Sequence, residues 1–377
     1  LFPTCYESDR PERPFTIIKE AVLERFKPNM LPTLIGSFPI LDHDQALRMI
    51  LESTPEIPLW AQLPGHREEG MMVQFLDGIP GLTKEKDRTF IDCSQPDFEQ
   101  EVLSFYEAYL LISESQEGSA QSRFALHPDT APGFFKFNDA VQALSPSPVA
   151  LKGQITGPVT LSTGIKDQNQ RALFYDERLR DLVVKTIAMK ARYQAEVLAA
   201  HGVPCMIFID EPGLAGFGTS EFMSISKQDV DTVLAEVIGA VHDGGASAGI
   251  HVCANTDWSL VLDSNADILS FDAYDYFDRL TLYKESLIDF VEQERILAWG
   301  IVPTSNPEQI EIETSGSLVD RLESQMARLV DLGMERDRIM AQSLVTPSCG
   351  TGSLTLAQTT KVLQLTRDVS TALRSAT

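Results

Sequence analysis

Basic residues, cysteine and long apolar runs are all scarce in this sequence, and each scarcity argues against a class of function. Lys and Arg number 31 against 54 Asp and Glu, giving a net charge of −23 at pH 7. So acidic a chain repels phosphate backbones and anionic lipid heads, which argues against nucleic acid and membrane surfaces as partners. No apolar stretch approaches the ~20 residues of a membrane span. The first residues, Leu1 to Arg13, are polar and proline-rich, unlike a secretion signal. Five cysteines (Cys5, Cys93, Cys205, Cys253, Cys349) form no dense framework. That usage fits a reducing, cytoplasmic setting better than a disulfide scaffold.

The apolar content is ample. Of 377 residues, 43% are hydrophobic, enough for a large core. Length alone suggests two or three domains, but the order of elements suggests one. Eight short apolar runs, at 31–36, 57–63, 149–155, 206–209, 248–253, 268–271, 296–301 and 339–344, read as buried parallel strands. Helical patterns lie between them, clearest at 177–201, where Leu179, Leu182, Val183, Thr186 and Ile187 share a face, and again at 229–242 and 317–332. Alternating strands and helices predict a (β/α)8 TIM barrel over residues 31–377, preceded by an N-terminal extension at 1–30. The stretch 64–148 is too long for one crossover. It reads as an insertion after the second run, with a helix at 97–113, capping the barrel mouth and ending in the linker Ser145-Pro-Ser-Pro148.

Barrel enzymes do their chemistry at the C-terminal ends of the strands, and the polar residues of this chain collect there. The first run leads into Gly36-Ser37-Phe38-Pro39, and the second into His66-Arg67-Glu68-Glu69. The third leads into Thr156-Gly157-Pro158, and the fourth into Asp210-Glu211-Pro212. The fifth ends in His251-Val-Cys253 and the sixth in Asp272; the eighth is closely followed by Cys349. His251 and Cys253 are two apart, so on a strand they face the same way. With Cys349 they form a set of two thiols and an imidazole, which suits Zn2+.

Taken singly, each has a plain structural reading. Asp210-Glu211-Pro212 is a possible helix N-cap, Gly157-Pro158 a turn, and Cys205 core packing. Cys5 and Cys93 take no role. His43, His66, His127, His201 and His242 lack ligand spacing and read as surface or capping residues.

The combination Ile35-Gly-Ser37-Phe-Pro39, Thr156-Gly-Pro-Val-Thr160, Ile209-Asp-Glu-Pro212, His251-Val-Cys253 and Thr346-Pro-Ser-Cys349-Gly350 resembles the catalytic half of cobalamin-independent methionine synthase. More broadly it resembles the superfamily that also holds uroporphyrinogen decarboxylases and corrinoid-dependent methyltransferases. The similarity runs from about residue 31 to the C-terminus, and the folate-associated N-terminal barrel of the full-length synthase has no counterpart, so the chain looks like a core-only synthase. The resemblance implies transfer of a methyl group to the thiol of homocysteine. It implies that His251, Cys253 and Cys349 bind zinc, that Ser37 holds the substrate carboxylate, and that Asp210 and Glu69 hold its ammonium, with Glu68 a near neighbour. The family's fourth zinc ligand is a Glu after the sixth strand; here Asp272 stands there, a shorter oxygen donor expected to serve as ligand and catalytic group. The family's His after the seventh strand, which helps protonate the departing folate, is missing from Gly300-Ile-Val-Pro303-Thr-Ser305. A methylated corrinoid needs no such proton, so methylcobalamin or a methylated corrinoid protein is the expected donor. The rival readings are corrinoid-dependent methyl transfer to another thiol such as coenzyme M, a metal-free decarboxylase, and a non-catalytic zinc-binding or corrinoid-docking protein. Coenzyme M carries no amine to meet Asp210 and Glu69. A uroporphyrinogen-type decarboxylase needs arginines near the strand ends, where the chain offers few.

Overall fold

Seven parallel strands hydrogen-bond into one curled sheet in the computed structural model, which describes residues 26–86, 88–114 and 122–375. They are β1 (Leu31–Pro32), β4 (Leu151–Thr156), β5 (Cys205–Asp210), β6 (Ser247–Val252), β7 (Ile268–Phe271), β8 (Ile296–Val302) and β9 (Ser343–Pro347), in the order β1-β9-β8-β7-β6-β5-β4. A separate antiparallel hairpin pairs β2 (Leu82–Lys84) with β3 (Thr89–Ile91). Every residue of β4 to β9 is buried, as near-continuous apolar runs require when helices cover the outside of a sheet.

The ladder itself does not close. The second run, expected as a strand, spans the gap between β1 and β4 by isolated bridges only, Ser37 to Gln62 and Leu59 to Lys152. Pro58 offers a carbonyl to Lys152 N at 3.0 Å but has no N–H to return, which interrupts regular pairing. The segment still takes the place of a stave. Ile57 packs with Leu31, Met206, Phe208, Ile268, Ile296, Ala298 and Leu344, from β1, β5, β7, β8 and β9, and with Ala150 just before β4, in one apolar cluster. The last strand starts later than its apolar run suggests, because Ile339 belongs to the helix Arg336–Ala341 and buries from there. A short apolar run fits a buried helix as well as a strand.

Part of the stretch read as an insertion lies on the flank. Its helix Phe98–Glu114 packs against the outer helices Glu177–Ala199 and Lys227–Asp243: Tyr106 Oη donates to Asp181 at 2.7 Å, and Tyr109 Oη to Glu236 at 3.4 Å. The segment just after Glu69 reaches the rim, where Thr156 Oγ1 donates to the Met71 carbonyl at 2.8 Å. No helix among the described residues is long and apolar enough to cross a membrane.

One junction fixes the rim between β4 and β5. Glu211 is fully buried and accepts from Val159 N (2.8 Å), Thr160 N (2.8 Å) and Thr160 Oγ1 (2.6 Å), at the start of the helix Pro158–Gly164. Burial raises its pKa to about 7, against the pull of those donors. Glu211 thus caps the neighbouring helix instead of its own. A Cβ on Gly157 would stand 2.2 Å from the Glu211 carboxyl carbon. Gly157→Ala is therefore expected to lower unfolding free energy by about 1–3 kcal/mol through overpacking, read from urea titrations. Unchanged stability would mean that Glu211 is free to move aside.

Candidate active site

Strand register sets the frame of the site. Asp210 on β5 pairs with His251 on β6, and His251 pairs with Ser270 on β7. These positions lie at the C-terminal ends of their strands, with Cys253 just beyond β6, Asp272 just beyond β7 and Cys349 just beyond β9.

One ligand atom from each of His251, Cys253 and Cys349 lies within 4.8 Å of the others. His251 is 3% exposed; its Nδ1 is 2.9 Å from Ser270 Oγ, while its Nε2 is buried with no hydrogen-bond partner. A buried imidazole nitrogen without a partner is costly, and a partner on the other nitrogen is how metal-binding histidines are oriented. The two thiols shift each other in opposite directions. Cys349 donates to Cys253 and so holds the Cys253 thiol well below its ordinary range, helped by His251, while the same contact and burial push Cys349 up. Two thiols and an unpartnered imidazole nitrogen, converging on one point, fit Zn2+.

Asp210 is 4% exposed, and its Oδ1 is buried and unpartnered. Burial raises its pKa; His251 and Lys152 oppose that shift. Lys152 is wholly buried, donating from Nζ to the Ile35 carbonyl at 2.7 Å and to Gln154 Oε1 at 3.3 Å, and burial lowers its pKa against the attraction of Asp210.

Ser37 lies against the cysteine loop at the other side of the sheet's gap. Its Oγ accepts from Gly352 N at 3.2 Å and its carbonyl from Thr351 N at 3.0 Å. A Cβ on Gly350 would come within 2.1 Å of Ser37 Oγ, so the loop after Cys349 can approach this closely only with glycine there.

Asp272 and Glu69 each have a protein partner. Asp272 is 1% exposed, and its Oδ1 caps the helix Ala273–Leu280 by accepting from Asp275 N at 2.9 Å. The group of ligand atoms within 4.8 Å does not include it, although the Cys253 charge helps burial raise its pKa to about 7. Glu69 is 2% exposed and faces His43, 2.9 Å from Nε2, while also accepting from Leu63 N at 3.0 Å. Glu68 is exposed, on a cleft with Arg67, Val73, Lys84 and Thr89.

Ser270 and Lys152 hold neighbouring site groups and are not singled out in the sequence, whereas Glu211 is, as an N-cap candidate for its own helix. Lys152 had a visible signal, a lone cation inside a wholly buried strand. Ser270 had none.

The fold and site together describe an α/β, TIM-barrel-like protein carrying a His-Cys-Cys set at the C-terminal edge of its sheet. No known protein family matches this sequence, and no curated protein does. Among solved structures, the chain is similar to a B12-independent methionine synthase from Shewanella sp. W3-18-1, solved in complex with selenomethionine. The identity is 17%, the TM-score 0.53, and the match covers 92% of this chain and 98% of that one. The fold is thus methionine synthase-like over nearly the whole chain.

Proposed function

We propose that this protein is a homocysteine S-methyltransferase that forms methionine. The reading rests on one observation above others: His251, Cys253 and Cys349 converge within 4.8 Å, next in register to an unpartnered buried carboxylate oxygen of Asp210. A zinc ion held by His251, Cys253 and Cys349 would act as a Lewis acid that lowers the pKa of a substrate thiol. Free thiols have a pKa of about 8.5, so few are thiolate at neutral pH without such help.

The chain's own residues fix the rest of the substrate. Asp210, with one oxygen free, takes the ammonium group. Ser37 accepts from Gly352 N, which leaves its O–H to donate to the substrate carboxylate. Binding both ends of the amino acid orients the sulfur toward the donor methyl, which is proximity catalysis. In the transfer, the thiolate sulfur supplies the pair for a bond to the methyl carbon, the bond from carbon to its carrier breaks with its pair left on the carrier, and the thiol proton has already passed to solvent. Asp272 accepts from Asp275 N and stands outside the converging trio, so zinc held by three side chains would keep room for the substrate sulfur, which favours a catalytic site over a closed structural one. The thiols require a reducing compartment such as the cytoplasm.

For the donor we propose a methylated corrinoid, because Pro303-Thr-Ser305 after β8 supplies no histidine to protonate a folate leaving group. Against this stands the description of the similar structure as B12-independent. An assay pairing homocysteine or coenzyme M with methylcobalamin or methyltetrahydrofolate decides both questions. Methionine from homocysteine and methylcobalamin alone is expected. Turnover with methyltetrahydrofolate would refute the donor, and turnover of coenzyme M in preference to homocysteine would refute the acceptor.

A further inference from the structure

A second convergence of ligands, sharing no residue with the first, joins the start of the helix His43–Ser53 to the loop before Met71. One ligand atom from each of His43, His66 and Glu69 lies within 4.8 Å of the others. His43 Nε2 stands 2.9 Å from Oε1 and 3.0 Å from Oε2 of Glu69. The His66 ring stacks on that of His43, with centroids 5.6 Å apart and planes inclined by 10°. His66 Nε2 donates to the Leu41 carbonyl at 3.0 Å, which leaves Nδ1 as the nitrogen with the free lone pair. Glu69 is held by Leu63 N.

We propose that His43, His66 and Glu69 form a second site for a divalent cation of the zinc type. Two imidazoles and a carboxylate are an established zinc ligand set. The backbone partners on His66 and Glu69 are what orients metal ligands. Two donors ~2.1 Å from a tetrahedral ion stand ~3.4 Å apart, so the cation can replace the hydrogen between His43 and Glu69 after the pair opens by about half an ångström. An isolated His43–Glu69 pair would account for those two residues but not for a third ligand atom, from His66, within the same 4.8 Å. The cation would tie the helix His43–Ser53 to the loop that continues into the rim at Met71. It also commits Glu69, so the substrate ammonium falls to Asp210. The proposal does not depend on the methyltransfer reading, since a cation here needs neither cysteine.

The test is zinc stoichiometry on the full chain, stripped with chelator, reloaded with Zn2+ and dialysed, with the fold checked by circular dichroism. The native chain is expected to hold two ions and His66→Ala one. Cys253→Ser/Cys349→Ser is expected to keep one, lost again when His66→Ala is added. In the double-cysteine variant, zinc is expected to raise the melting temperature only while His66 is present. A native chain and a His66→Ala chain with the same zinc content would overturn the proposal. So would a folded Cys253→Ser/Cys349→Ser chain with none.

Discussion

Cys253→Ser is expected to lower zinc affinity at the His251–Cys349 site by more than about 100-fold and to abolish methyl transfer. Removing an orienting partner of a metal ligand alone costs roughly 10–100-fold, and this substitution removes a ligand outright. The serine hydroxyl is a far weaker acid than the thiol it replaces, so it cannot become an anionic ligand near neutral pH. The effect should be mirrored by Cys349→Ser, because both sulfurs offer a ligand atom to the same trio and both must give up their protons to bind. Cys205→Ser is the control. Its sulfur lies against the Ala195 and Gly245 carbonyls at 3.9 Å and 3.8 Å, remote from the trio in role and surroundings. Competition with a chromogenic zinc chelator measures the affinities, and methionine formation measures the activity. A Cys253→Ser protein with undiminished turnover would remove the metal from the reaction.

Asp210→Asn is expected to raise the homocysteine KM by roughly 10- to 100-fold while zinc content stays unchanged. A charged hydrogen bond contributes about 1.5–3 kcal/mol, and each 1.4 kcal/mol is tenfold. The neutral amide keeps the shape and loses the charge that pairs with ammonium. It also leaves Lys152 without its buried counter-charge. That loss bears on stability, so melting temperature should be followed beside kinetics. A thiol acid of similar length without an amine group separates the two effects: its turnover should be equally poor in native and variant protein, if Asp210 acts on the ammonium. Equal KM values for homocysteine in both proteins would remove Asp210 from substrate recognition.

Much of the fold can be read from the chain because buried strands carry a strong signal. The runs at 206–209, 248–253, 268–271 and 296–301 each coincide with a strand to within a residue or two, since a stave covered on both faces has to be apolar throughout. The run at 57–63 is equally apolar yet forms no ladder; Pro58 breaks its hydrogen bonding while its side chains still fill their place. The flank position of the helix Phe98–Glu114 depends on where Tyr106 and Tyr109 find carboxylates on other helices, and such distant pairings leave no periodic trace.

The site divides the same way. His251 and Cys253 share a face through strand alternation alone, whereas Cys349 joins them through the curl of the sheet. His43 and His66 lie 23 residues apart in sequence with no ligand spacing, and only the path of the chain around Leu41 and Gly65 stacks them. Glu69, which the resemblance assigns to the substrate ammonium, faces His43, a pairing that no sequence spacing announces.

The most direct test of the central claim is X-ray absorption at the zinc edge, on His66→Ala protein reloaded with one equivalent of zinc, before and after homocysteine is added. Two sulfur scatterers at about 2.3 Å, joined by light-atom ligands, are expected at rest, and three once homocysteine is bound. A sulfur count that homocysteine leaves unchanged would contradict the account, because the substrate thiol would then bind away from His251, Cys253 and Cys349.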